Sequence, residues 1–366
     1  MKKIVISGVN FTEGGPLSVL KDCLSSFKKI YLEQDIQLTV FVHKKSLVAE
    51  FINDFTIIEY PLVKSSWLKR IRFEYFECKK ISESLKPDLW IALHDMTPNV
   101  SCPQVVYCHN PSPFYKLKLK DAFVDPTFFL FCLFYSFLYR INISKNKFVI
   151  VQQQWLREAF ERKYHVKTVV SYPFFEELDQ PLYQQQTVVT PKFIFFFPAF
   201  PRVAKNFEVF LEATKKLSSR RSDFQVILSI NGAENNYSKS LFKTFGDIDA
   251  IKFIGAQTRI QVFELYGSVD CMVFPSKLET WGLPISEFKT FEKPMLLADL
   301  QYAHEALGAY KSVKFFDPDD ADQLSFFMNN IIDKRLDFDG NKQIVPSLPF
   351  FKNWDDLTNY LSNATF

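Results

Sequence analysis

At 366 residues the chain exceeds what one ordinary hydrophobic core organises, so two domains of roughly 100–200 residues each are expected. Hydrophobic residues make up 47% of it and charged residues 23%, with 41 phenylalanines, which excludes a disordered chain and predicts an unusually aromatic interior. The net charge is only +3, so the strong basic field that non-specific nucleic-acid binding uses is absent and no nucleic-acid partner is expected.

The chain opens with "MKKIVISGVNF", whose apolar run is too short for a signal-peptide core and reads as a first β-strand. "NFTEGGPLSVLKDCLSSF" continues with Gly14 and Gly15, a proline suited to a helix's first turn, and apolar positions Leu17, Leu20 and Leu24 at helical spacing. This is a strand, a glycine loop and a helix, and the helix's free amides favour an anion. Strand-length apolar runs recur at 36–43, 56–62, 87–95 and 103–110, mostly separated by helical or turn-rich stretches, which predicts an open parallel α/β sheet. "SSWLKRIRFEYFECKK" (65–80) sets Trp67, Ile71 and Cys78 along one face with Lys69, Arg70 and Arg72 nearby. "FFLFCLFYSFLY" (128–139) holds twelve residues without a charge, fewer than the ~20 a membrane span needs. Two readings of it stand: a helix buried in the domain core, or an interfacial patch, because residues 116–147 carry six Lys/Arg against two Asp and suit an anionic membrane surface.

From Pro173 to Pro191 the composition is polar and proline-marked, as in an interdomain linker. The pattern then restarts with "KFIFFFPAF" (192–200), a helix through "NFEVFLEATKKLSS", and strands at 224–230, 251–256 and 271–276. After Asp333 the periodicity weakens until "PSLPFFKNWDDLTNYLSN" resumes it as a terminal helix. The expected division is a first domain over 1–172, a linker over 173–190, a second domain over 191–345 and a closing helical segment over 346–366. Six scattered cysteines without metal-ligand spacing read as buried thiols in a reducing compartment.

Open parallel sheets bind ligands beyond the carboxyl ends of their strands, and the chemistry-bearing residues collect there. "LHDMTPNV" and "YCHNPSPFY" place His94, Asp95 and His109 at strand ends of the first domain. "FPRVAKNF" places Arg202 and Lys205 just after the first strand of the second. "PSKLETWGLPISEF" follows a later strand, with Glu279 on its loop and Glu287 expected in the first turn of a helix opened by Pro284. Taken alone, an acid in a first turn complements the helix dipole by about 0.3–1 kcal/mol, and loop cations are solvated. Two acids also suit a glycosidase, but these share one loop and helix beside cations, where neither is free to protonate a leaving group.

The spacing of Glu279 and Glu287 around Gly282 and a Leu-Pro pair resembles the signature of family-4 retaining glycosyltransferases of the GT-B fold, and the resemblance runs almost continuously from 251 to 308 and on through "VKFFDPDDADQLSFFM". It implies two facing Rossmann-like domains with a cleft between them, the first binding acceptor and the second nucleotide sugar, and a final helix that returns to the first. It implies that Glu279 approaches the donor sugar, that Glu287 bonds the ribose hydroxyls, and that the backbone of Thr280, Trp281, Gly282 and Leu283 meets sugar and diphosphate. Arg202 and Lys205 correspond to a phosphate-binding pair, Gly14 and Gly15 to a glycine loop near the donor, and His109 to a histidine against the sugar; His94 and Asp95 are acceptor candidates. The implied reaction is metal-independent hexosyl transfer from a nucleoside-diphosphate sugar, with no cofactor and no metal site. "DPDD" (317–320) imitates a metal motif but falls in an expected surface turn. The resemblance extends to bacterial enzymes of capsule or O-antigen synthesis, whose acceptors are glycans or polyprenyl-diphosphate-linked glycans at the cytoplasmic membrane face, which fits a cytoplasmic protein touching that membrane peripherally. The alternatives are a GT-B sugar-nucleotide epimerase, which would change the nucleotide sugar without releasing diphosphate, and a non-catalytic nucleotide-sugar-binding homologue.

Overall fold

The short apolar runs assemble into two separate parallel sheets in the computed structural model, which describes residues 1–173 and 192–364. The first sheet takes β1 (Lys2–Gly8), β2 (Ile36–Val42), β3 (Thr56–Glu59), β4 (Leu89–Ala92), β5 (Gln104–Tyr107), β6 (Val149–Val151) and β7 (Thr168–Ser171). The second takes β8 (Phe193–Phe197), β9 (Phe224–Leu228), β10 (Ile251–Phe253), β11 (Cys271–Phe274), β12 (Met295–Ala298) and β13 (Val313–Phe316). A last strand, β14 (Phe350–Phe351), rejoins the first sheet, whose order is β14-β7-β6-β5-β4-β1-β2-β3; the second runs β10-β9-β8-β11-β12-β13. Every residue of β4, β5, β6, β11 and β12 is buried, because helices cover both faces of a parallel sheet and leave no room for alternation.

In both sheets the order reverses beside the opening strand. The chain winds outward from β1 through β2 to β3, then returns to β1's other side with β4; the second sheet repeats this with β8, β9, β10 and β11. At such a reversal adjacent crossovers leave in opposite directions and open a crevice at the strands' carboxyl ends. The chain thus holds two parallel α/β units, the α/β class expected from the sequence.

The units comprise Met1–Pro113, Phe134–Phe174 and Pro346–Phe366, and Phe114–Leu133 with Phe175–Val345. Residues 114–133 thus group with the second unit although they lie within the segment assigned on sequence to the first. Apart from Pro173, the linker expected over 173–190 lies outside the described residues. The second core is aromatic at its centre: Phe197 packs at 4.7 Å from Phe207 and edge-on at 5.4 Å from Phe274.

The closing helix, Trp354–Asn363, packs against the helix Gly14–Ile30 and buries Trp354, Leu357 and Leu361 in the first core. Asn353 caps it by accepting from the Asp356 amide at 2.9 Å. Asp355 ties the pair together, accepting from Ser26 Oγ at 2.6 Å and facing Lys29 Nζ at 2.7 Å.

The uncharged run at 128–139 forms the helix Pro126–Leu138, which is buried at some positions and exposed at others. Phe128, Cys132, Tyr135 and Leu138 are buried, whereas Leu130, Leu133 and Phe137 stand 63%, 51% and 61% exposed. Among the described residues no helix is long and apolar enough to cross a membrane.

Leu357 is fully buried in the first core while Leu32 is 78% exposed. Leu357→Ala is expected to lower stability by about 2–5 kcal/mol and Leu32→Ala by little, read as shifts of the urea midpoint by tryptophan fluorescence.

Candidate active site

The reversal point of the second sheet is built by two loops. After β8 the chain passes Arg202, makes a short helical turn over Val203–Lys205, and reaches Asn206 in the left-handed region (φ 56°) before the helix Phe207–Ser218. After β11 it runs through Pro275 to Gly282 into the helix Leu283–Lys289. Asn206 Nδ2 donates to the Pro275 carbonyl at 3.1 Å and to the Pro318 carbonyl at 2.7 Å, and the Lys277 amide donates to the Ala204 carbonyl at 2.7 Å. The two strand ends are thereby held in register, and above them Lys205 Nζ pairs with Glu279 Oε1. Arg202 is exposed, its guanidinium 5.4 Å from the Phe200 ring centroid, with no ion pair among the described residues.

Gly282 has φ +92°, a conformation that favours glycine, and a Cβ there would meet Ile285 and Tyr302 tightly at 3.3–3.4 Å. Tyr302 supports the loop from below by donating to the Ser276 carbonyl at 2.6 Å. Trp281 is turned inward, its Nε1 donating to Ser286 Oγ at 3.0 Å, while Thr280 is half-buried and Leu283 lies at the surface. Glu287 is not in the first turn as expected, because the helix already begins at Leu283. One turn in, its carboxylate accepts from Tyr266 Oη at 3.3 Å and lies 3.8 Å from Arg259 Nη2. Burial raises its pKa, with Arg259 and Tyr266 pulling the other way.

At the carboxyl edge of the first sheet, His109 follows β5 with its ring 5.4 Å from that of Phe11 and its Nε2 3.5 Å from Asp95 Oδ2. Asp95 has φ +69° and organises this edge, its Oδ1 accepting from the His109 amide at 2.8 Å, the Asn110 amide at 3.1 Å and Tyr139 Oη at 2.8 Å. His94 is buried, with Nε2 3.0 Å from Ser7 Oγ and 3.4 Å from Glu74 Oε1. Burial, aided by the charge of Arg70, holds its pKa well below the usual histidine value, so it is neutral at physiological pH. Both acceptor candidates, His94 and Asp95, therefore turn their polar atoms inward to support the loop edge. Gly14 and Gly15 are exposed at the start of the helix Gly14–Ile30, whose preceding residue Glu13 supplies no side-chain cap.

The structure thus joins Lys205 with Glu279, sets Glu287 apart on its helix, leaves Arg202 open, and supports His109 through Asp95. Sequence reasoning missed the roles of Tyr302, Tyr266 and Arg259, which reach the site only through tertiary packing. For Asn206 there was a local signal, an asparagine directly before a helix, where left-handed backbone and capping are common. In the "DPDD" turn, Asp319 faces Lys277 Nζ at 2.6 Å and Asp320 caps the following helix by accepting from the Gln323 amide at 2.9 Å.

Residues 180–342 match the family described as glycosyl transferases group 1. The chain is 22% identical over 259 residues to the O-antigen chain mannosyltransferase RfbU of Salmonella typhimurium strain LT2, covering 66% of this chain and 68% of that protein. Among solved structures it is similar to the lipopolysaccharide outer core galactosyltransferase WaaB in its apo form (TM-score 0.62, 12% identity, 91% of each chain). It is also similar to Anabaena HepE in complex with UDP and glucose (TM-score 0.58, 16% identity, 91% of this chain and 90% of that one).

A carboxyl group whose native pKa exceeds its unfolded value costs nothing below the unfolded pKa and destabilises increasingly as pH rises through the native one. Glu287→Gln is therefore expected to raise the urea midpoint at pH 7, with the gain vanishing towards pH 4, in unfolding curves across that range.

Proposed function

We propose that this chain, a glycosyltransferase whose residues 180–342 belong to the glycosyl transferases group 1 family, moves a sugar from a nucleoside-diphosphate donor to a glycan or polyprenyl-diphosphate-linked acceptor, with retention of configuration, in the synthesis of a bacterial surface polysaccharide. The observation that carries the reading is the Lys205–Glu279 pair at the reversal point of the second sheet, with Arg202 open beside it. As the bond between the sugar and the diphosphate breaks, the electron pair goes to the diphosphate and positive charge develops on the sugar ring. Lys205 supplies a point charge and Arg202 a planar fork to the departing phosphates, so two side-chain cations do what a divalent ion does elsewhere. Glu279, on the loop, lies where the sugar's hydroxyls and developing charge are met, and Glu287, held by Tyr266 and Arg259, accepts from the ribose hydroxyls. The backbone of Thr280 to Leu283, bent by Gly282, approaches the sugar and diphosphate between them. On the first unit, His109, steadied by Asp95, is the partner for the reacting sugar, and the uncapped helix start at Gly14 and Gly15 suits a phosphate. The O-antigen mannosyltransferase named among the relatives supports a surface glycan as product, and the UDP and glucose bound by HepE support a nucleotide sugar as donor.

The outer surface of the first unit supports a membrane-borne acceptor. Leu62, Leu68 and Phe76 are 65%, 80% and 66% exposed, and a groove of about 460 Å³ is lined by Leu68, Ile71, Arg72, Phe76, Glu77 and Lys80. Apolar side chains among lysines and arginines are the chemistry of peripheral contact with an anionic bilayer. Arg70 is not part of it: the residue read on sequence as one of this basic set is buried.

With a panel of nucleotide sugars and a lipid-linked glycan acceptor, the wild type is expected to release nucleoside diphosphate in step with product. Lys205→Ala is expected to lower kcat about 10²–10³-fold and Arg202→Ala to lower it measurably, while Glu287→Ala raises the donor Kd; unchanged kinetics in all three contradict the assignment. In vesicle sedimentation, Leu68→Ser with Phe76→Ser should weaken binding to phosphatidylglycerol-containing vesicles and leave binding to neutral vesicles weak, as in the wild type.

A further inference from the structure

Beneath the His94–Asp95 turn lies a cluster of charged groups with no place in the reaction as described. Arg70 and Glu74 are 4% and 0% exposed, a burial that such residues rarely reach unless paired. They stand four residues apart, Arg70 in the helix Trp67–Arg72 and Glu74 in a single π-helical turn over Phe73–Glu77. π turns widen the helix and release carbonyls from regular pairing, and they recur at functional sites. Here Asn99 takes up the slack, its amide donating to the Glu74 carbonyl at 2.9 Å and its Nδ2 to the Tyr75 carbonyl at 3.3 Å.

Both side chains converge on one residue. Arg70 Nη2 donates to the His94 carbonyl at 2.8 Å, its Nη1 to Tyr135 Oη at 3.5 Å, and its guanidinium lies 5.2 Å from the Trp67 ring centroid. Glu74 Oε1 lies 3.4 Å from His94 Nε2, and neither Glu74 oxygen accepts a well-formed hydrogen bond among the described residues. The carbonyl that Arg70 grips belongs to the peptide leading into Asp95, whose left-handed backbone aims its carboxylate at the His109 amide and ring. From Glu74 to His109 every step is a contact or a covalent bond.

We propose that Arg70 and Glu74 are positioning residues for sugar transfer: by bonding the His94 carbonyl and packing against its ring, respectively, they fix the Asp95 turn and, through it, the orientation of the His109 imidazole. The inference rests on the reading that His109 meets the reacting sugar. The charge states agree with it. Burial pushes Glu74 up to about 8 against the opposing pull of Arg70, and His94 is held neutral, so at neutral pH an uncharged acid faces an uncharged ring. The titratable groups around Glu74 are Arg70, Tyr75 and Cys78 on its own helical segment and His94 at the end of β4.

The test follows the His109 ring by NMR in full-length protein carrying carbon-13 histidine, with His109→Gln assigning its signal among the five histidines. In the wild type, the His109 resonance is expected to report the loss of the Glu74 proton as an inflection at about pH 8, and Glu74→Gln should abolish it. In Glu74→Leu the His109 ring signals should move from their wild-type positions. A purely structural Glu74 would change stability and leave this titration in place, so identical His109 curves in wild type and Glu74→Gln overturn the proposal. Glu74→Gln is near-isosteric and decides the matter even where Glu74→Leu does not fold. The titration needs no donor, so a failure of the proposed transfer reaction is read separately from a failure here.

Discussion

A parallel sheet whose strand order reverses beside its opening strand cannot close its carboxyl edge there, and the second unit is organised around that opening. Between β8 and β11 the covering segments diverge, and backbone that would otherwise be unsupported is held by Asn206, the Lys277 amide and Tyr302. Onto this frame the chain sets a cation and an anion, Lys205 and Glu279, both partly open to solvent. With its side chains 24% and 13% exposed, the pair gives up much of its hydration on forming, which offsets most of its Coulombic gain. A frame this well braced under a pair worth so little is better explained by the charges it presents than by the pair itself.

The same constraint operates in the first unit with different chemistry. Between β1 and β4 the opening is filled from within by Ser7, His94 and the buried side chains of Arg70 and Glu74, and His109 is partly exposed at its edge. Costs gather at these two places: a left-handed aspartate at 95, a left-handed asparagine at 206, and a largely buried carboxylate at 287 whose ionisation is disfavoured, whereas left-handed residues such as Lys86 and His165 simply end helices. Local rules broken at strand ends while the strands themselves obey every rule is the pattern expected of functional sites.

Much of this was legible beforehand. Strand-length apolar runs gave two parallel sheets, because buried parallel strands carry an unbroken apolar signal, and Glu279 fell on a loop because Pro275 ends its strand so plainly. What escaped depended on geometry that no single-residue pattern carries. Arg70 was grouped with Lys69 and Arg72 as one basic set, whereas the chain opens a π turn at Phe73 and buries both Arg70 and Glu74. Glu287 read as a first-turn acid because Pro284 was taken as the helix's opening residue, but the positive φ of Gly282 lets Leu283 start it. The helix Pro126–Leu138 defied a single reading because it is apolar all round, so composition gave no hint of which face is covered.

The claim on which the functional account stands is that the donor's diphosphate binds where β8 and β11 end. A crystal structure of the protein soaked with UDP tests it most directly. The account predicts the two phosphates at that edge, with Lys205 Nζ and the Arg202 guanidinium within hydrogen-bond distance of their oxygens and the ribose hydroxyls on Glu287. A nucleotide bound elsewhere on the second unit, with Lys205 and Glu279 untouched, would contradict it.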